Sequence, residues 1–265
     1  MQKIRMYHVD AFTEKLFSGN PAAVCILDSW LDDNLMQSIA IENNLPETAF
    51  IVPDGRDFAI RWFSPAVEID LCGHATLASA YVIFNELDHH DTLIRFHSPK
   101  SGLLMAKQTD DLISLDFPSD TLTISSEEEI NFLENCLGIR PLELHKGKSD
   151  YLALVDNESI LQEIKPDFKK IALLDARGVI VTARGEKADF VSRFFAPRVG
   201  IDEDPVTGSA HTSLLPFWSE RLNKSLLTAY QLSKRGGQLV CEYKGDRCSI
   251  GGRARLYLSG EINCD

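Results

Sequence analysis

The segment Phe58-Ala-Ile-Arg-Trp-Phe-Ser-Pro-Ala-Val-Glu-Ile-Asp70 is repeated 132 residues later as Phe190-Val-Ser-Arg-Phe-Phe-Ala-Pro-Arg-Val-Gly-Ile-Asp202. Seven of the thirteen positions are identical. Because the offset is half of the 265-residue chain, the repeat predicts two halves built on one plan. Each copy also leads into a glycine at a predicted helix start, in Cys72-Gly-His74 and in Thr207-Gly-Ser209.

Composition is that of an ordinary globular protein, with 44% apolar and 25% charged residues. The net charge is −12 and no dense run of Lys and Arg occurs, which argues against a nucleic-acid partner. The N-terminus lacks the apolar core of a signal peptide, and no stretch approaches the roughly 20 apolar residues that span a bilayer. Six dispersed cysteines without a C-x-x-C pair indicate reduced, buried thiols without structural disulfides. We therefore expect a cytoplasmic protein that does not bind membranes.

Short runs rich in β-branched residues dominate the first half and predict strands at 4–9, 22–27, 48–52, 58–63 and 92–97. An amphipathic helix is predicted at 32–44, and a helix that is apolar on all sides at 73–87. The second half repeats the latter at 209–222, where Pro216 should kink the helix or end its first segment. We predict an α+β fold of two pseudo-symmetric domains, each a mostly antiparallel, barrel-like sheet around a central helix.

The boundary between the halves is placed near residues 115–119, after a predicted strand and before a helix-start signal. This gives an N-terminal domain at 1–115 and a C-terminal domain at 116–265. The last strands, within 248–263, could complete either half. No Pro- or Gly-rich linker separates the halves, so we expect them to pack closely with a ligand cleft between them.

Glycines at the two helix starts suggest an anion site. Gly73 and Gly208 leave backbone N–H groups free to meet a carboxylate, and the helix dipole favours that contact. The hydroxyl of Ser209 would add a hydrogen bond. The alternative is that both glycines only allow close helix packing.

Three ionisable residues are candidates for proton transfer. Glu47 lies directly before an apolar strand, where a buried carboxylate would be a stronger base than an exposed one. His74 opens a buried helix, where the dipole favours the neutral imidazole. Asp204 precedes Pro205 at the matching place in the other half. Each also has a structural alternative, as a loop glutamate, a core histidine and an N-cap.

Cys72 raises a rival mechanism, in which two thiols on opposite faces of an α-carbon racemise it. Alignment of the helix starts puts Thr207 opposite Cys72, and a threonine hydroxyl is too weak an acid for that task. Cys72 and His74 alone lack the further ligands of a zinc site. No nucleotide-binding motif occurs either. The sequence therefore predicts no metal and no cofactor.

Taken together, these motifs resemble the PhzF-like family of phenazine-biosynthesis isomerases, a branch of the diaminopimelate epimerase-like fold. The resemblance covers nearly the whole chain and rests on five ordered motifs: Val9-Asp-Ala-Phe12, Gly19-Asn-Pro-Ala-Ala-Val24, Leu45-Pro-Glu-Thr48, Leu71-Cys-Gly-His-Ala-Thr-Leu-Ala78 and Asp204-Pro-Val-Thr-Gly-Ser-Ala210.

The resemblance implies a cofactor-independent isomerase, usually a homodimer, in which Glu47 moves a proton between carbons of a small cyclic or unsaturated carboxylate. It implies that His74 and Asp204 assist catalysis. Asn20, Gly73, Gly208 and Ser209 are implied to bind substrate. Two alternatives stay open: a catalytically silent protein that binds a small acid or regulates a partner, and a racemase or epimerase of an amino-acid-like substrate.

Overall fold

The computed structural model describes residues 2–87 and 89–264. The chain forms two compact units, unit 1 from Met1–Asp116 with Gly251–Asp265 and unit 2 from Phe117–Ile250. The division lies one residue from the predicted boundary at 115. Residues 251–265 join unit 1, which is one of the two options that the sequence left open.

Among its described residues, unit 1 contains eight whole strands, parts of two further strands, and two helices. The strands are β1 Gln2–Ala11, β2 Asn20–Ile26, β3 Glu47–Asp54, β4 Asp57–Phe63, β5 Glu68–Ile69, β6 Leu93–Ser98, β7 Gly102–Thr109, β8 Leu112–Pro118, β16 Arg247–Gly252 and β17 Ala254–Cys264. The helices are α1 Asp33–Asn43 and α2 Gly73–Glu86. Strands β8 and β16 cross the boundaries between the units. All five strands predicted from alternation, and both helices, are present.

Unit 2 contains the remaining elements. The strands are β9 Thr123–Ile124, β10 Glu143–Lys146, β11 Asp150–Leu154, β12 Gly178–Arg184, β13 Phe190–Phe195, β14 Leu226–Gln231 and β15 Gly237–Tyr243. The helices are α3 Glu127–Leu137, α4 Glu158–Glu163, α5 Phe168–Ile171 and α6 His211–Leu222. Ser126 and Glu129 form a capping box at the start of α3, as the predicted helix-start signal requires.

Strand pairing repeats in the two units. In unit 1, β1 with β2, β3 with β4 and β6 with β7 are antiparallel, whereas β2 with β3 and β4 with β6 are parallel. In unit 2, the series β10, β11, β12, β13, β14 and β15 pairs in the same order of antiparallel and parallel contacts. The long antiparallel pair of β1 and β17 completes unit 1. The halves are therefore copies of one topology.

The repeated segment forms β4 and β13, and its arginines have equivalent surroundings. Arg61 Nε donates to Glu68 at 2.7 Å and its guanidinium lies 5.2 Å from the Phe63 ring. Arg193 Nε donates to Glu203 at 2.7 Å and lies 4.8 Å from the Phe195 ring. An arginine fork paired with a carboxylate and stacked on an aromatic ring is geometrically demanding. These contacts give a structural reason for the close likeness of the two segments.

Helix α2 is the central helix of unit 1. It packs against β1, β2, β3, β7 and β17, and nine of its residues are buried. Helix α6 packs against β14 and β15 in unit 2. The predicted start of α6 at 209 was wrong, because the helix begins at His211 after a 3-10 turn at Gly208–Ala210. Of the two outcomes predicted for Pro216, an end of the helix is excluded, since the helix continues through that residue. A 3-10 turn is a common start of an α-helix because it tightens the first turn.

Within residues 2–87 and 89–264, no helix is long and apolar enough to cross a membrane.

Gly19 allows the tight turn that leads into β2. Its φ is +69°, and a Cβ there would lie 2.2 Å from the carbonyl oxygen of Ala11. Gly55 has a similar φ of +64° but a Cβ there would meet open space. We expect Gly19→Ala to lower the free energy of unfolding by about 2 to 3 kcal/mol, against about 1 kcal/mol for Gly55→Ala, because only the former adds a clash to the left-handed strain. Urea denaturation of both variants measures this, and equal losses would show that Gly19 is needed only for its φ.

Candidate active site

Two strands and one helix of unit 1, β2, β3 and α2, have their first residues close together. Strands β2 and β3 are parallel neighbours, so Asn20 and Glu47, their first residues, lie at the same edge of the sheet. Helix α2 begins at Gly73, which makes His74 its second residue. The side chains of Asn20, Glu47 and His74 are all buried. The fold therefore collects polar side chains from distant parts of the chain in a largely apolar unit.

His74 lies between the other two side chains. Its Nε2 is 2.9 Å from Glu47 Oε2, and its Nδ1 is 3.1 Å from Asn20 Nδ2. Contacts on both ring nitrogens fix the orientation of the imidazole. Asn20 is therefore placed to act on Glu47 through His74.

Glu47 keeps one oxygen available. The residue is 7% exposed, and within the described part of the chain no donor forms a well-aligned hydrogen bond to Oε2. The nearby His74 Nε2 is close enough for attraction but lacks that alignment. A buried carboxylate oxygen without a directed donor is energetically unfavourable unless a ligand or proton uses it. The geometry suits a carboxylate that accepts a proton from a bound molecule.

Cys72 completes this cluster. Its Sγ lies 3.6 Å from Nδ1 and 3.9 Å from Nε2 of His74. Burial raises the pKa of the Cys72 thiol, and the charge of Glu47 raises it further. Cys72 is therefore a neutral thiol near pH 7, not a thiolate nucleophile.

The direction of the pKa shift of His74 differs from the expectation. Burial lowers its pKa, but the negative charge of the Glu47 carboxylate acts in the opposite direction, and the pKa lies well above its ordinary value. The helix dipole alone had suggested a neutral imidazole. The shift is opposite in direction to that expectation because the carboxylate 2.9 Å away is a contact that the sequence does not reveal.

In unit 2, the turn before the 3-10 segment is held by its own hydrogen bonds. The hydroxyl of Thr207 donates to Asp204 Oδ2. Gln231, the last residue of β14, accepts from Thr207 N at 2.8 Å and donates to Asp204 O at 2.7 Å. Asp204 thus braces the turn that carries Gly208. Thr207, not Asp204, is the N-cap residue of the 3-10 turn, so Asp204 braces the turn without capping it, and its predicted catalytic role stays a prediction.

Ser209 follows Gly208 and contacts a charged residue. Arg177 Nη1 donates to Ser209 Oγ at 2.9 Å. Arg177 also donates from Nε to Asp150 Oδ1 at 2.9 Å and from Nη2 to Asp150 Oδ2, and it lies 5.2 Å from the Phe194 ring. Because arginine can only donate, Ser209 accepts from it and its own proton is free to point elsewhere. Ser209 is therefore prepared to donate to an anion.

His211, at the start of α6, is fully buried and its Nδ1 lies 3.0 Å from Thr207 O. Burial lowers the pKa of His211 to about 4. The unfolded state, with a value of 6.5, then binds the proton more strongly than the folded state. Stability from this group is complete above pH 6.5 and is lost as the pH falls towards 4.

We expect unfolding free energy to fall by about 2 kcal/mol more in the wild type than in His211→Gln between pH 7 and pH 5. Urea denaturation at both pH values measures the difference. Equal losses in the two proteins would contradict a buried neutral His211.

The predicted site residues form two groups, each within one unit. Asn20, Glu47, Gly73 and His74 lie together in unit 1, while Asp204, Gly208 and Ser209 share one turn in unit 2. The sequence missed Arg177, Asp150 and Gln231, which hold that turn. A charged Arg177 directly before the apolar strand β12 was the one signal available for them.

The sequence of the chain places it in a known protein family. Residues 9–260 match the family described as Phenazine biosynthesis-like protein, and the chain belongs to that family. The resemblance and the fold class drawn from the sequence are thereby confirmed.

Known relatives agree in sequence and structure. An uncharacterized isomerase of Pseudomonas aeruginosa is 50% identical over 261 residues, which cover 98% of each chain. A crystal structure of a phenazine biosynthesis protein of the PhzF family from Enterococcus faecalis has a TM-score of 0.96 and 46% identity, and the match covers 99% of this chain and 100% of that one. A hydroxyproline epimerase from Agrobacterium vitis, with a TM-score of 0.60 and 14% identity over 98% of this chain and 92% of that one, shares the fold alone. The chain is an enzyme of the isomerase class, as predicted.

Proposed function

We propose that the protein is a cofactor-independent isomerase that moves a proton between carbons of a small cyclic or unsaturated carboxylate, with Glu47 as the acid and base. One observation carries this proposal: Glu47 Oε2 is buried, lies 2.9 Å from His74 Nε2, and lacks a well-aligned donor among the described residues. Such an oxygen can accept a proton from carbon and hand it back.

The proposed reaction has two balanced steps. In the first, Glu47 removes a proton from a carbon next to a double bond, and the electrons of the broken C–H bond move into the conjugated system and towards the substrate carboxylate. In the second, the protonated Glu47, whose carboxyl proton exchanges with solvent, delivers a proton to a different carbon, the double bond shifts, and the carboxylate of Glu47 is restored. A positioned acid and base of this kind contributes about 10² to 10⁴ in rate.

His74 supports both steps. Its raised pKa favours the imidazolium. That charge assists the first step by stabilising the substrate when negative charge spreads over it, and it assists the second step by stabilising Glu47 as it becomes ionised again. Asn20 fixes the ring through Nδ1. Cys72 takes no part in this proton transfer.

The substrate carboxylate needs donors, and each unit offers a turn of the right type. In unit 2, the free proton of Ser209 and the backbone of Gly208 suit an anion. In unit 1, Gly73 begins α2, where the helix dipole favours negative charge. That these groups bind one substrate in a cleft, that Asp204 assists, that the protein is a homodimer and that it is cytoplasmic all stay predictions.

The proposal is tested by incubating the wild type in D2O with a panel of cyclic diene carboxylates and following the ring carbons by NMR. We expect deuterium at carbon and a shifted double bond in at least one acid. Binding of acids without any exchange at carbon would instead support a silent binding protein with the same fold. A racemase would exchange the α-proton of amino-acid-like substrates, so proline and related amino acids belong in the panel.

A further inference from the structure

The cluster of Glu47, Cys72 and His74 contains one residue that proton transfer does not use. Cys72 was set aside as a metal ligand in the sequence because only His74 lies near it along the chain. The fold supplies a third ligand, since Glu47 comes into contact with His74. One ligand atom from each residue lies within 4.8 Å of the others. We propose that these three side chains form a binding site for Zn²⁺ and that the bound ion switches proton transfer off.

The three donors match the chemistry of zinc. Zn²⁺ accepts thiolate sulfur, imidazole nitrogen and carboxylate oxygen, and three protein ligands with an open fourth position are typical of accessible sites. Ideal tetrahedral coordination would separate donor atoms by about 3.3 to 3.6 Å at normal bond lengths. Nε2 and Oε2 are 2.9 Å apart, and Nε2 and Sγ are 3.9 Å apart. The third pair, Sγ and the carboxylate oxygen, lies within 4.8 Å, so side-chain shifts of up to about 1 Å would seat the ion.

Burial and charge favour the same ion. Each of the three residues is at most 7% exposed. Two of them can carry a negative charge, so a divalent cation would leave the coordinated site neutral, and neutral sites are cheaper to bury than charged ones. The thiol proton of Cys72 and the Nε2 proton of the His74 imidazolium both go to solvent when the sulfur and the nitrogen bond to zinc, which leaves His74 neutral. Glu47 Oε2 also provides the independent sign of a ligand, because it is buried without a well-aligned donor among the described residues.

Asn20 lies behind the cluster as an orienting residue. Its amide is 3.1 Å from Nδ1 of His74 and can present either its nitrogen or its oxygen to that atom. When Nε2 binds a metal, a partner on Nδ1 holds the ring in place. The cluster therefore has three metal ligands and a further residue that holds the histidine ring.

The binding claim is tested with Co²⁺ alone, which occupies zinc sites and reports its ligands by absorption. We expect one ion per chain, with a sulfur-to-cobalt band in the near ultraviolet and visible bands of a tetrahedral centre. Zn²⁺ should displace it. Cys72→Ser should remove the sulfur band and weaken binding by about 100-fold or more, and Asn20→Ala should weaken it by about tenfold. Circular dichroism confirms that the variants are folded. Glu47→Gln removes the carboxylate ligand but keeps the thiol, so it gives a second test of cobalt binding.

A matched control is available in unit 2. His145 Nε2 lies 2.9 Å from Glu143 Oε2, the same distance as in the cluster, but no thiol belongs to this pair. His145→Asn should leave cobalt binding unchanged. Binding that survives Cys72→Ser at wild-type strength, binding that is lost in His145→Asn, or no binding by the wild type would each overturn the proposal.

The proposed inhibition by zinc rests on the proposed function, because zinc would bind the Glu47 oxygen that accepts the proton. Added Zn²⁺ should stop deuterium exchange at the concentration that displaces Co²⁺, and EDTA should restore it. Exchange that continues with zinc bound would refute the switch. If the wild type exchanges nothing, the proposed function fails while the cobalt spectra still decide the metal site.

Discussion

Glu47→Gln should lower the rate of isomerisation by about 10³-fold while substrate binding changes little. The amide has almost the shape of the carboxylate, so the packing around the start of β3 is kept, but it cannot accept a proton from carbon. The loss should therefore fall on kcat and not on KM. Steady-state kinetics on an acid that the wild type converts measures both constants.

Glu143→Gln is the control for this result. It removes a carboxylate that also lies 2.9 Å from a histidine nitrogen, in strand β10 of unit 2 and outside the proposed site. Its kinetics should match the wild type. An equal loss in both variants would indicate a general electrostatic effect, and no loss in Glu47→Gln would remove Glu47 as the base.

Arg177→Met should destabilise the protein by about 3 to 4 kcal/mol, because it leaves the buried carboxylate of Asp150 without its partner. It should also weaken recognition of anions, since Ser209 loses the donor that orients its hydroxyl. Anthranilate and its neutral amide form a matched pair of probes. We expect the wild type to prefer anthranilate by about tenfold and Arg177→Met to lose that preference.

The double variant Arg177→Met with Asp150→Leu separates the effect of Arg177 on stability from its effect on anion recognition. Replacing both charges by apolar groups removes the unpaired carboxylate, so much of the stability should return. The preference for anthranilate should not return, because Ser209 still lacks Arg177. Calorimetry with anthranilate and with its amide measures the preference, and urea denaturation measures the stability. A preference that survives in Arg177→Met would show that Arg177 is only a structural residue.

The internal repeat was the part of the fold easiest to predict from sequence. The copies at 58–70 and 190–202 both keep the arginine and the phenylalanine that stack on each other in β4 and β13, although the carboxylates that pair with the arginines are not at equivalent positions. Helix α2 was equally clear because it is apolar on every side. The start of α6 was less clear, since the 3-10 turn at Gly208–Ala210 depends on hydrogen bonds from Gln231, which lies far along the chain.

The residues of the candidate site also differ in how well the sequence predicts them. Asn20, Glu47 and His74 could be proposed because each lies at the start of a recognisable element. Arg177 could not, because its partners Asp150 and Ser209 are respectively 27 and 32 residues away and no periodic pattern links them. The raised pKa of His74 could not be predicted either, since it depends on a contact with the Glu47 carboxylate in the folded chain.

Deuterium exchange at carbon in D2O, compared between the wild type and Glu47→Gln, tests the central claim most directly. The account predicts that the wild type places deuterium on a ring carbon of a cyclic unsaturated acid, and that Glu47→Gln binds the same acid but exchanges about 10³-fold more slowly. Exchange at the wild-type rate in Glu47→Gln would contradict it.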